Sequence, residues 1–258
     1  IKVGSNVLTR NGSPVREGAT GGVDITRMSA LVDQMAWLRQ QGYQVILVTS
    51  GAVACGRSEL PVAADLDSVE QRQLFSAIGQ VKLVNLYYNL FREYGLHIGQ
   101  VLTTKDHFQA GEEYDNQRAC MEVMLSNGVI PVVNENDTVC VTELMFTDND
   151  ELSGLIAQMM GAEQLILLSN IDGIYTGDPA LPTSQLIRTV QPGDQLDRYI
   201  QTSKSRAGRG GMQSKHHTAR TVAAAGIRVI IANGERENIL PQLMEHPTET
   251  PHTDFLPS

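Results

Sequence analysis

Val132 to Asp150 reads VVNENDTVCVTELMFTDND and runs straight into ELSGLIAQMMG at 151–161. A short apolar run ends in four polar residues, Asn134, Glu135, Asn136 and Asp137. A second acidic cluster, Asp148, Asn149 and Asp150, stands just before an amphipathic stretch. This is the pattern of a strand whose carboxyl end opens into a polar loop, followed by a helix with side-chain oxygens and amides at its N-terminus. In open α/β sheets ligands bind off the carboxyl ends of strands. Such a cluster suits an ammonium group or a metal-bound phosphate. Turn chemistry and an N-cap would account for one or two of these residues, but account poorly for seven in two matching places.

Around that stretch, apolar runs alternate with helical periodicity. Asp24 to Gln41 reads as a helix, with Met28, Leu31, Val32, Met35 and Leu38 on one face and Gly42 as its stop. Tyr43 to Thr49 reads as a buried strand, Ser68 to Tyr94 as a long helix, Ile98 to Leu102 as a strand and Tyr114 to Asn127 as a helix. Val129 to Val133, Leu165 to Leu168 and Arg228 to Ile231 are further strands; Asp150 to Met160 and Met212 to Ala225 are further helices. Ile1 to Val3 reads as the tail of a strand running into a loop, and Gly12 to Gly22 as a flexible connection. The tail after Pro241 is expected only to cap the surface. The alternation predicts an α/β fold, a mostly parallel central sheet sandwiched between helices. No linker is evident, so a single domain over 1–258 is expected.

Composition narrows the function classes. Hydrophobic residues make up 41% and charged residues 19% of 258 positions, an ordinary globular balance. No apolar run approaches the ~20 residues of a transmembrane helix. The net charge of −9 argues against nucleic acid or a membrane surface as partner, but leaves room for an anionic substrate in a locally basic cleft. Cys55, Cys120 and Cys140 form no C-x-x-C pair, which favours reduced thiols and a cytoplasmic location. No metal-ligand spacing occurs.

Three more segments carry candidate chemistry. GRGGMQSK, Gly208 to Lys215, is a glycine-rich turn opening a helix, suited to a phosphate. It is neither a Walker A loop nor a dinucleotide fingerprint, since Gln213 stands where the third glycine would be. Lys2, with Gly4 and Ser5, lies at the end of the first strand. Lysines there usually snorkel to solvent, but Lys2 and Lys215 with Asp150 would make a clamp for a transferring phosphoryl group. SGAVACG, Ser50 to Gly56, follows a buried strand, and its small residues permit close approach of a ligand to backbone. Ser50 is a poor nucleophile candidate: no G-x-S-x-G is present. His216 and His217 are adjacent and diverge on a helix, which fits packing or solvation better than a metal pair.

With these residues in view, the chain resembles the glutamate 5-kinases of the amino acid kinase superfamily. The matching segments are IKVGSNVLT, VTSGAVACG, FSAIGQVKLVNLYY, GQVLTT, VIPVVNENDTV, FTDNDELSGLIA, LILLSNIDGIYTGDP, GRGGMQSK and AAGIRVIIANG, in the family's order. Two positions depart from the pattern: Arg209 and Ser214 stand where threonine is usual. The C-terminal domain of many members, similar to an RNA-binding module, is not expected within 1–258.

The resemblance implies transfer of the ATP γ-phosphate to the side-chain carboxylate of L-glutamate, with Mg²⁺ held mainly through the nucleotide. It implies Lys2, Lys215 and Asp150 as catalytic residues. Ser50, Gly51, Asn134, Asp137, Asp148 and Asn149 would serve the amino acid. Lys2, Gly4, Ser169, Asn170, Arg209, Gly210, Gly211, Met212, Gln213, Ser214 and Lys215 would serve the nucleotide. L-proline is implied as feedback inhibitor and a homo-oligomer as the assembly. An N-acetylglutamate kinase is the nearest alternative, disfavoured because Asp137 would be wasted on an acetylated nitrogen. A regulator without turnover and a dinucleotide-dependent oxidoreductase fit the intact clamp and the missing third glycine less well.

Overall fold

The structure, a computed structural model, describes residues 1–9, 22–60, 66–139, 148–200 and 211–258. In chain order its elements begin with β1 Lys2–Val3, α1 Ser5–Leu8, α2 Ile25–Gln40, β2 Leu47–Thr49, α3 Ala52–Glu59, α4 Ser68–Arg92, β3 Ile98–Thr103, a 3-10 turn Lys105–Phe108, α5 Glu112–Ser126 and β4 Ile130–Glu135. They continue with α6 Asn149–Met159, β5 Gln164–Ser169, β6 Thr189–Val190, α7 Asp197–Ile200, α8 Met212–Ala224, β7 Arg228–Asn233, α9 Ile239–Glu245 and β8 His252–Phe255. The chain divides into two compact units, Ile1–Val7 with Thr147–Ser258, and Leu8–Phe146. No helix among the described residues is long and apolar enough to cross a membrane.

In the unit Leu8–Phe146 the strands run β3-β4-β2, all parallel, with Val132 opposite both Leu47 and Gln100. All six residues of β4 are buried. Because side chains alternate across a strand, burial of every residue means that both faces of β4 are covered. Helix α2 starts where Asp24 accepts from the N–H groups of Thr26 and Arg27, at 3.0 and 3.2 Å. It stops at Gly42, whose φ of +90° suits glycine. The five apolar residues expected on its inner face are buried. The start of α4 is fixed by a capping box between Asp67 and Glu70.

The expected strand Tyr43 to Thr49 is shorter: only Leu47–Thr49 joins the ladder, and Tyr43 is exposed. The small-residue run after Ser50 is also not an open loop; it forms α3. Its small residues let two helices meet at backbone contact. A methyl group on Gly56 would lie 1.9 Å from the Phe75 carbonyl oxygen, and one on Gly79 would lie 1.8 Å from the Ala52 carbonyl oxygen.

In the other unit the order is β1-β5-β7-β8-β6. Strands β1, β5 and β7 are parallel, with Lys2 opposite Leu167 and Leu167 opposite Ile231. Strand β8 runs antiparallel to β7 and parallel to β6. Its core gathers Leu165, Leu167, Val222, Val229, Ile231 and Phe255. Two expectations are corrected here. The loop after β1 contains the short helix α1. The tail after Pro241 does more than cap the surface: β8 is buried at all four residues and forms ladders with two strands. Thr253 Oγ1 accepts from the Ile174 N–H at 2.8 Å and donates to the Ile187 carbonyl at 2.7 Å. The expected connection Gly12 to Gly22 lies outside the described residues except at its last position.

Substituting Gly79 with alanine is expected to destabilise the protein by on the order of 3 kcal/mol, because the added methyl meets rigid backbone. Urea unfolding of Gly79→Ala measures this; an unchanged midpoint would show that the α3–α4 contact is not tight.

Candidate active site

The unit Ile1–Val7 with Thr147–Ser258 contains a buried cluster of three charges. Helix α6 begins where Asp148 Oδ1 accepts from the N–H groups of Asp150 and Glu151, at 2.8 and 3.1 Å. That cap fixes the first turn and holds Asp150, which is fully buried. Lys2 Nζ lies 2.6 Å from Asp150 Oδ1, and Lys215 Nζ lies 2.8 Å from Asp150 Oδ2. The second contact is an aligned hydrogen bond; the first is an ion contact off the hydrogen-bond line. Lys2 comes from β1 and Lys215 from the first turn of α8. Helices α6 and α8 pack closely at Gly154, where a methyl group would meet Thr218 at 2.9 Å and Val222 at 3.0 Å.

Burial pushes the Lys2 ammonium below the ordinary lysine range; Asp150 opposes this and Lys215 adds to it. Burial by itself works to raise the Asp150 carboxyl, but the two ammonium groups together outweigh it and hold the group below its ordinary 3.8. Two ammonium groups share one buried carboxylate in a water-poor place, and the Asp148 carboxylate also acts on Lys2. Lys215 also sits at the positive end of the α8 dipole, a poor place for a cation in a helix and a good one for attracting an anion. Gly4 makes room for the arrangement: a methyl group there would lie 3.2 Å from Lys2 Nζ.

The other residues expected at the nucleotide fall in the same unit. Ser169 ends β5, followed by exposed Asn170. Gly211 is the N-cap of α8, and Met212, Gln213 and Ser214 form its first turn ahead of Lys215. Arg209 and Gly210 lie outside the described residues. A contact that sequence reasoning missed joins the loops after β5 and β7. Arg236 Nε and Nη2 donate to the two oxygens of Asp172 at 2.6 and 2.8 Å, and Tyr175 Oη donates to the same carboxylate at 3.2 Å. The Arg236 bonds, first of all, hold the Asp172 carboxyl below the usual range. Among the described residues no group of three His, Cys, Asp or Glu side chains could hold a metal ion. Asp148 Oδ2, buried and with no hydrogen-bond partner among them, fits a water of a hydrated cation. His216 is buried against Phe255 of β8, with ring centroids 6.1 Å apart, so it is a packing residue as expected.

The unit Leu8–Phe146 carries a second charged cluster at the carboxyl end of β4. Arg72 of α4 donates from Nε to Asp137 Oδ1 at 2.6 Å and from Nη2 to Glu135 Oε2 at 2.5 Å. Both carboxylates are buried, and both contact the Arg72 guanidinium. Asn134 Nδ2 donates to Gln80 Oε1 at 3.0 Å. Ser50 follows β2, and Gly51 caps α3 with a φ of +111°. Asn134, Asp137, Ser50 and Gly51 were expected here; Glu135 was noticed only as part of the polar run. Arg72 and Gln80 were missed, since nothing local marks two polar residues inside a long amphipathic helix.

Comparison with known proteins agrees with this arrangement. The model of the amino acid kinase family matches residues 1–233. The chain is 60% identical to a glutamate 5-kinase of Bacteroides thetaiotaomicron over all of its length and 69% of that relative's. It is 43% identical to the Chlorobaculum tepidum enzyme of the same name, over 93% of this chain and 64% of the relative. With the Symbiobacterium thermophilum glutamate 5-kinase identity is 43%, covering 95% of this chain and 90% of that one. Isopentenyl phosphate kinase from T. acidophilum shares the fold, with a TM-score of 0.65 at 15% identity, covering 98% of this chain and 97% of that one. The chain belongs to the amino acid kinase family and, within it, to the glutamate 5-kinases.

Replacing Asp150 with alanine would strand two buried ammonium groups, and a loss of about 3–5 kcal/mol is expected. The sign of the pH dependence follows from the lowered Asp150 carboxyl. Its contribution is full above the ordinary value of 3.8 and is lost as pH falls through the lower folded value. Unfolding of wild type and Asp150→Asn across pH should therefore give a stability gap that narrows in acid. A gap that widens there would refute the ion-pair account.

Proposed function

We propose that the chain transfers the γ-phosphoryl group of ATP to the side-chain carboxylate of L-glutamate, giving L-glutamyl 5-phosphate, the first intermediate of proline synthesis. The observation that carries this reading is the buried Lys2–Asp150–Lys215 triad, two ammonium groups held on one carboxylate. The acceptor is assigned from the glutamate 5-kinases it resembles. The family match runs through both compact units, so they are read as one catalytic domain.

A glutamate carboxylate has a pKa of about 4.3 and is already ionised near neutrality. It needs no general base. One carboxylate oxygen bonds to the γ-phosphorus as the bond to the β–γ bridging oxygen breaks, and the electron pair leaves with ADP. The obstacle is repulsion between two anions, which positioning and fixed positive charge overcome. Lys2 and Lys215 neutralise the transferring group, and Asp150 holds both ammonium groups in place. Mg²⁺, when bound, adds charge neutralisation on the β- and γ-phosphates. Asp137 is the partner of the α-ammonium, in a cluster whose two buried carboxylates favour a cation. On the family resemblance, Ser50, Gly51 and Asn149 also bind the glutamate, with Asn134 and Asp148 supporting them. Gly4, Ser169, Asn170 and the segment from Arg209 to Lys215 serve the nucleotide. Self-association into a homo-oligomer is part of the proposal. Val81 and Tyr88, seven residues apart on one stripe of α4, are 73% and 46% exposed.

In a coupled assay, L-glutamate should stimulate Mg²⁺-dependent ADP release, and hydroxylamine should trap the product as a hydroxamate. Equal turnover of N-acetylglutamate would overturn the acceptor. Lys2→Ala and Lys215→Ala should each lower kcat by about 10²-fold or more. The double variant should lose less than the product of the two effects, because both act on one group.

L-proline should inhibit competitively with glutamate. It keeps the α-carboxylate and a cationic nitrogen but offers no carboxylate to phosphorylate. Asp137→Ala is expected to weaken glutamate and proline together by calorimetry, while Lys215→Ala leaves proline affinity almost unchanged. Intact proline binding in Asp137→Ala would place the inhibitor at a separate site.

A further inference from the structure

Gln80 is buried, with 8% of its surface exposed, and its Nε2 has no hydrogen-bond partner among the described residues. Its orientation is not arbitrary. Asn134 Oδ1 accepts from the Glu135 N–H at 2.9 Å, so Asn134 must present its Nδ2 to Gln80, and Gln80 must answer with Oε1 at 3.0 Å. Turning the Gln80 amide over would set two donors face to face. The relay therefore ends in a buried donor with its direction fixed. Such a donor costs free energy unless something accepts from it.

The rest of the helix shows why the donor is held there. Arg72, Ser76 and Gln80 are spaced four apart and fall on one face of α4. Arg72 ties that face to Asp137 and Glu135, and Gln80 ties it to Asn134, the first residue of the same polar run. Gly79 seats the turn carrying Gln80 against the α3 backbone. One helix face thus meets two carboxylates, which suit an ammonium, and offers one amide donor, which suits an anion. An α-amino acid carries both groups on one carbon.

Resting on the function proposed above, we infer that Gln80 is a substrate-binding residue whose Nε2 donates to the α-carboxylate of glutamate. The γ-carboxylate is the poorer match, since a donor aimed at the attacking oxygens would draw off the electron density that attack requires. Gln80 then makes the site select an α-amino acid rather than any amine bearing a distal carboxylate.

The test is a cycle between residue and ligand group, run on the full chain. Gln80→Glu keeps the oxygen that accepts from Asn134 and replaces the donor with an acceptor; Gln80→Met keeps the volume and removes both groups. The ligands are L-glutamate and 4-aminobutyrate, which keeps the amine and the terminal carboxylate but has no α-carboxylate. Hydroxamate trapping gives kcat/KM for each. Gln80→Met should raise the glutamate KM about tenfold or more, with kcat and the ATP KM little changed and Tm lowered by the stranded Asn134 amide, and Gln80→Glu should raise that KM further. For 4-aminobutyrate, Gln80→Met should leave kcat/KM unaltered. An unchanged glutamate KM would overturn the assignment, as if a buried water met the donor instead. Equal losses for both ligands would also overturn it, since they would mark Gln80 as a structural residue. Wild type that turns over no glutamate would refute the functional reading itself, a result separate from either.

Discussion

Asp150 is a fully buried carboxylate that holds two ammonium groups, and much of its unit is arranged to make that possible. Burying three charges is costly, because each loses its water and only good geometry compensates. The geometry is drawn from three parts of the chain. Strand β1 must pair with β5 to place Lys2, the Asp148 cap must fix the first turn of α6, and α8 must approach α6 closely at Gly154 to bring Lys215 in. Gly4 must lack a side chain. A cluster with these demands makes a poor stabilising device compared with apolar packing, and two ammonium groups gathered at one carboxylate are better explained by an anion that arrives later.

The cluster around Arg72 reverses the composition, two carboxylates on one cation, with a similar logic. Glu135 and Asp137 stand two residues apart at the end of β4, are both buried, and are bridged by Arg72. Paired carboxylates suit a cationic ligand group, as the paired ammonium groups of Lys2 and Lys215 suit an anionic one. The chain's net charge of −9 reveals neither. Local sorting of charge decides which ligand groups each site favours, and the average over the chain conceals it.

Glycine serves two different purposes in this chain. At Gly56 and Gly79 the absence of a side chain brings α3 and α4 to backbone contact, which stations the Arg72 and Gln80 face of α4 at the polar end of β4. At Gly4 it clears space for an ammonium group. The run SGAVACG reads naturally as a place for ligand approach, but helix packing uses its second glycine. Small residues permit close approach and do not say what approaches.

The sequence by itself determined the α/β alternation, the parallel strands, the helix stops and the polar ends of β4 and α6. These follow from periodicity, capping and turn chemistry, which act over a few residues and leave a local mark. It also suggested Lys2, Asp150 and Lys215 as one clamp, and the structure brings the three side chains together. Strand β8 escaped notice because four residues among prolines and polar groups carry too little pattern; its pairing with β7 and β6 supplies the stability its sequence does not announce. Arg72 and Gln80 escaped because their partners lie more than 50 positions away, at separations of 63, 65 and 54 residues. Their roles arise only when α4 is packed beside β4. Whether a polar side chain on a helix is a solvated surface group or a buried hydrogen-bonding partner depends on what faces it, and only the tertiary structure decides that.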